Sequence, residues 1–100
     1  MPNTKSAAKA LRRSERRRIR NRFWRSTART FIKKARKLIE AGDLEAAAKA
    51  VGDAISVLDR AAAKGVIHKN NAARRKSRLM KRFNALVKAR LAQQAEQQGA

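Results

Sequence analysis

An all-α fold is what this sequence predicts: a three-helix bundle with a long, projecting, highly basic N-terminal helix. Three observations carry the prediction. Alanine supplies 21 of the 100 residues and is the strongest helix former. Proline occurs once, at Pro2, so no helix interior is interrupted by a ring that lacks an N–H. Glycines stand at 42, 52, 65 and 99, and at two of these places a helix-stop signal is followed by a helix-start signal.

The first helix is expected over about 4–40. It ends at Ala41-Gly42-Asp43, where glycine can take the left-handed C-cap and Asp43 can cap the next helix, with Glu45 favoured by the dipole in its first turn. From Ile19 onward, Ile19, Phe23, Thr27, Phe31 and Leu38 fall on one side with Trp24 and Ala35 flanking them, at about 100° per residue. Before Ile19, Arg12, Arg13, Arg16 and Arg17 cross that same angular sector and Arg18 lies on the far side. A segment charged on all faces has nothing to bury against, because arginine is very rarely buried unpaired. The helix spans on the order of 55 Å, more than a partner of about 20 residues covers, so its N-terminal half is expected to project.

The second helix, about 44–63, gives an apolar stripe of Leu44, Ala47, Ala48, Val51, Ala54, Ile55, Leu58 and Ala62. Glu45, Lys49, Asp53, Ser56, Asp59 and Arg60 fall opposite. Gly52 sits inside this pattern and costs about 1 kcal/mol against alanine. Lys64-Gly65 is the stop, and a short connection leads to the third helix, about 69–96. There Leu79, Met80, Phe83, Leu86, Val87 and Leu91 align on one side, opposite Arg74, Arg75, Arg78, Lys81, Arg82 and Lys88. The last residues, QQAEQQGA, are expected to fray.

Charge decides the functional class. The 27 Lys and Arg against seven Asp and Glu give a net charge of +20, which attracts polyanions and opposes compaction. Residues 1–40 hold 15 basic and two acidic side chains, 41–63 two and four, and 64–100 ten and one. The first and third helices are therefore expected to present the polyanion-binding surface and the second to close the bundle from behind. A solubilising surface would intersperse both signs.

Other classes fit poorly. One histidine, no cysteine, no tyrosine and no glycine-rich phosphate loop leave little for an enzyme; no catalytic residue is named and no cofactor is expected. Asp53 and Asp59 are read as a solvated helix face. Ligands for a metal do not cluster, and without cysteine no disulfide framework forms. No apolar run approaches a membrane span, and the start MPNTKSAAK has no hydrophobic stretch, so a soluble, cytoplasmic protein is expected.

Between nucleic acids, arginines around a whole helix suit insertion among several phosphate backbones, which folded RNA offers and a straight duplex does not. A nucleoid or histone-like DNA-binding protein shares the charge and stays as the alternative. Two local features have two readings each. His68-Lys69-Asn70 can offer a phosphate site at a helix N-terminus or simply cap it. Trp24 can stack on a base or cover the edge of the core.

Three stretches, PNTKSAAKALRRSERRRIRNR, RTFIKKARKLIEAGDLEAAAKA and AAAKGVIHKNNAARRKSRL, resemble the bacterial small-subunit ribosomal protein family numbered twenty, from Pro2 to about Leu91. KGVIHKNNAARRKSRL is the most specific of them; members of the family commonly read HKNKAAR where this chain has HKNNAAR, so Asn71 stands in place of a lysine. The resemblance implies one rRNA-binding three-helix domain over residues 1–100. It implies direct binding to small-subunit ribosomal RNA in the lower body and a part in folding it, as a monomer within the ribonucleoprotein, with no membrane or small-molecule substrate. The RNA-binding positions it implies are Lys5, Lys9, Arg12, Arg13, Arg16, Arg17, Arg18, Arg20, Arg22, Arg25, Arg29, Lys33 and Lys34 on the first helix. Across the second turn and the third helix they are His68, Lys69, Asn70, Arg74, Arg75, Arg78 and Arg82.

Overall fold

The computed structural model describes residues 4–99, and among them every regular element is a helix: α1 Lys5–Ala41, α2 Leu44–Ala63 and α3 Lys69–Gly99. Thr4 is the N-cap of α1, its hydroxyl accepting from the Ala7 N–H at 3.1 Å. Asp43 caps α2 by accepting from the Ala46 N–H at 3.2 Å.

Both expected stops are real and use the same device. Gly42 has φ 77° and Gly65 has φ 75°, in the left-handed region where a Cβ is costly. The N–H of Gly42 donates to Ile39 and that of Asp43 to Leu38; the N–H of Gly65 donates to Ala62 and that of Val66 to Ala61. These paired reverse bonds satisfy carbonyls that a helix end would otherwise leave open. Val66, just past the second stop, is buried and ties the connection to the core.

Side-chain contacts fix the helix directions. Arg25 Nη2 donates to the Val66 carbonyl at 3.4 Å, and Arg90 Nη2 donates to the Gly42 carbonyl at 2.8 Å. The start of α3 therefore lies beside the middle of α1, and the later part of α3 beside the end of α1. The two helices run parallel, and α2 runs back between them. Since α3 is offset along α1, the molecule is long: 80 × 21 × 15 Å, with a radius of gyration of 19.9 Å, against about 13 Å for a compact domain of this length.

Burial corrects the expected faces. The seam of α1 is Trp24, Ala28, Phe31, Ile32, Ala35, Leu38 and Ile39; Ile19 and Phe23 are 67% and 62% exposed. Packing thus begins at Trp24 rather than Ile19, because α2 and the loop after it reach no further. Residues 5–20 are exposed apart from half-buried Ala8, as expected for a projecting half. On α2 the buried arc is wider than one stripe: Ala47, Ala50, Val51, Ala54, Val57, Leu58 and Ala61. It includes Ala50, Val57 and Ala61, which a single stripe leaves out, and excludes Ala48, which is exposed. A helix between two neighbours must bury two flanks. On α3, Met80 and Leu91 are exposed rather than packed, and Leu79 and Ala72 form the buried contact. The helix also continues to Gly99 instead of stopping near 96; Gln93, Gln94, Ala95, Glu96 and Gln97 carry no helix breaker.

The core is thin, as the alanine content implied. Seven of the twelve buried apolar residues are alanine, and Leu58 and Leu79 are the largest side chains fully buried. Small residues let the helices approach closely but remove little apolar area from water.

Candidate nucleic-acid interface

Parallel packing of α1 and α3 leaves a groove between them of about 510 Å³, lined by Arg29, Lys33 and Arg36 from α1 and Arg75, Arg78 and Arg82 from α3. Spacings of three and four residues put each set on one helix face. Ile32 and Leu79 form the floor, which leaves the six cations standing along two walls.

The groove opens at its upper end into a gap of about 280 Å³ between α1 and the connection before α3, lined by Arg25, Arg29, His68, Asn71 and Arg75 together with Ala28, Val66 and Ile67. Beyond this the surface follows α1 over Arg17, Arg18, Arg22 and Arg25, with Ser14, Asn21 and Ser26 among them. A further depression on the projecting half is lined by Lys9, Arg13, Arg16, Arg17 and Arg20. Neighbouring depressions share residues, so Arg29, Arg75, Arg25 and Arg17 join them into one continuous strip. No acidic side chain lines any part of it.

Among the described residues, no acidic side chain neutralises the strip's cations. Among the described residues one ion pair forms, Lys76 with Asp59 at 2.7 Å, and it lies between α3 and α2. Two arginines are oriented by neutral acceptors: Arg25 by the Val66 carbonyl, and Arg75 by Asn71, whose Oδ1 accepts from Arg75 Nε at 3.0 Å. Neither acceptor carries a compensating negative charge. The acids Glu45, Asp53 and Asp59 are exposed on α2, away from the groove.

At the start of α3, the Asn70 N–H donates to His68 Nδ1 at 3.1 Å and the Ala72 N–H to the His68 carbonyl at 3.1 Å. His68 is therefore the cap. With Nδ1 accepting, the ring hydrogen sits on Nε2, and His68 also lines the gap, so capping and facing a ligand coexist. Trp24 packs against the cluster of Ala28, Val57, Leu58 and Ala72, with Lys64 Nζ 5.4 Å from the ring centroid; it covers the core edge.

Of the residues the sequence pointed to, Arg29, Lys33, Arg75, Arg78 and Arg82 meet in the groove, Arg25 and His68 in the gap, and Lys9, Arg13, Arg16, Arg17, Arg18, Arg20 and Arg22 along the projecting helix. Lys5, Arg12, Lys34, Lys69, Asn70 and Arg74 are exposed but line none of these depressions. Arg36 falls by periodicity on the same face as Arg29 and Lys33 but lies outside the RNA-binding positions that the resemblance implies; it lines the groove. Asn71, which stands where the family commonly has a lysine, brings no cation of its own but positions that of Arg75. Among the described residues no three His, Cys, Asp or Glu side chains come together as metal ligands, and no helix is long and apolar enough to cross a membrane.

Comparison with known proteins decides the family. The model for ribosomal protein S20 matches residues 2–84. The chain belongs to the ribosomal protein S20 family. It is 87% identical over 97 residues to the small ribosomal subunit protein bS20 of Thermomicrobium roseum, covering 97% of this chain and 98% of the relative. The protein of the same name from Coprothermobacter proteolyticus is 57% identical over 84 residues, covering 84% of this chain and 96% of the relative. That from Aquifex aeolicus is 48% identical over 93 residues, covering 93% and 99%. The S20 family consists of structural ribosomal proteins, not enzymes. Its matched region takes in α1, α2 and the part of α3 that forms the groove; the last turns of α3 lie outside it.

Proposed function

We propose that this protein binds small-subunit ribosomal RNA directly, by setting the continuous strip from Lys9 to Arg82 against phosphates, and holds RNA helices together in the lower body of the subunit. The acid-free strip running across two helices carries this reading. A groove with cations on both walls fits a phosphate backbone lying along it, while the projecting half of α1, charged around its circumference, reaches between further backbones. Such contacts fix position without reading sequence, so RNA shape supplies the specificity. The twenty basic and polar positions from Lys5 to Arg82 named above form the contact set, with Arg36 and Asn71 added. The working state is one copy within the cytoplasmic ribosomal particle.

Sucrose-gradient fractionation of a cell lysate in low and high salt, with mass spectrometry for this chain, tests the reading. Migration with the small subunit, lost only in high salt, is the expected result. Sedimentation with chromosomal DNA would favour a DNA-packing role and overturn it.

A further inference from the structure

We propose that Phe23 is a stacking site for an unpaired nucleobase of the bound RNA, on the face of α1 that also carries Arg16 and Arg20 of the strip's projecting half. The inference rests on the RNA-binding reading and extends it. The chain has four aromatic residues. Three of them, Trp24, Phe31 and Phe83, pack against the core clusters. Phe23 does not: it is 62% exposed at the point where α1 leaves the bundle, and Ile19, one turn earlier on the same side, is 67% exposed.

The ring is nevertheless held. It meets Trp24 edge to face, with centroids 5.8 Å apart and planes at 81°. Trp24 is itself fixed by the core and by Lys64. Most of the Phe23 surface therefore stays open while its position is braced, which lowers the entropy lost when a flat partner settles on it.

The surroundings select the partner. At 100° per residue, Phe23 lies roughly 140–160° around α1 from Arg18 and Arg25 but within about 60° of Arg16 and Arg20, which line the strip on the projecting half. Arg12, Arg16 and Arg20 stand on the same side as Ile19 and Phe23, so this face alternates cations with apolar groups. A protein docking here would have to match its apolar patch with several acids. RNA brings both requirements in one ligand: phosphates for the arginines, and a base whose flat face suits an aromatic ring. Base stacking on an aromatic side chain tolerates any base, since each has a π-face. Arg12, which lines no part of the strip, gains a ligand on this side.

The test uses the full chain and transcribed small-subunit ribosomal RNA, with affinity measured at several salt concentrations for the wild type, Phe23→Ala, Phe23→Leu and Phe23→Trp. Phe23 is outside the core, so thermal melting of each variant alone should match the wild type. Phe23→Ala and Phe23→Leu are expected to weaken binding about tenfold, in the range of one lost base stack, with the salt slope unchanged because no cation is removed. Phe23→Trp should bind as the wild type does. Full affinity in Phe23→Ala would overturn the proposal, as would recovery in Phe23→Leu, which would show that apolar filling suffices. Normal binding to RNA combined with poor incorporation of Phe23→Ala into subunits would overturn it in favour of a protein partner. If the wild type fails to bind this RNA, the parent reading falls, which the variants alone could not do.

Discussion

Asn71 and Arg75 stand one turn apart on α3, and the Asn71 side-chain oxygen accepts from Arg75 Nε at 3.0 Å. Arg75 lines both the α1–α3 groove and the gap above it. The bond thus restrains the cation at the junction of the strip, and it is made by a residue where a lysine, a donor only, could not serve.

Asn71→Ala is expected to free Arg75 and weaken RNA binding by about 1 kcal/mol, the scale of immobilising one long side chain. The number of charges is unchanged, so the salt slope should be too. Asn71→Lys removes the acceptor but adds a cation, and should steepen the slope by roughly 0.7–0.9. Titration of RNA at three or four salt concentrations checks both.

Leu58 and Leu79 are the largest side chains fully buried, in a core made mostly of alanine. Leu58→Ala should cost about 2–5 kcal/mol, a large share of the stability of a small domain. RNA that binds only the folded chain returns about 2.7 kcal/mol at a hundredfold excess over Kd. The free variant is expected to be largely unfolded by circular dichroism and to regain helix on adding RNA. A variant as stable as the wild type would contradict the thin-core description.

Two glycines should respond in opposite ways. Gly52 is exposed within α2, and a Cβ added there meets nothing within 4 Å, so Gly52→Ala should stabilise by about 1 kcal/mol. Space is equally open at Gly42, but its φ of 77° makes Gly42→Ala unfavourable by about 1 kcal/mol or more. Melting temperatures moving apart by several degrees would bear this out.

Arg16 and Arg17 project beyond the packed part of α1. Reversing both to glutamate should sharply weaken RNA binding and leave the melting of the free bundle unaltered. Loss of the bundle would refute the division of α1 into packed and projecting halves.

The sequence made the element order and both turns legible because their signals are local: Gly42 with Asp43, and Gly65 before His68, need only neighbouring residues to act. The faces were harder to read. Ile19 and Phe23 have the apolar character of a core, and only the reach of α2 shows that they lie beyond it. Ala50, Val57 and Ala61 fall outside a single apolar stripe and are buried because α2 packs against two neighbours. In the strip, charge density pointed to α1 and α3, while their parallel alignment, which brings Arg29 against Arg75, depends on contacts far apart in sequence. Periodicity puts Arg36 on the basic face of α1 with Arg29 and Lys33; only the resemblance, whose RNA-binding positions on α1 end at Lys34, leaves it out. The role of Asn71 was not legible, since it is set by a side-chain bond.

The central claim is that the strip binds phosphates, and the salt dependence of affinity for small-subunit ribosomal RNA tests it most directly. Wild-type affinity should fall linearly on logarithmic axes, by roughly 0.7–0.9 log units per log of salt for each phosphate contacted. Replacing Arg29, Arg75 and Arg78 together by alanine should lower that slope by about two to three. A flat wild-type dependence, or a slope unchanged in the triple variant, would contradict the account.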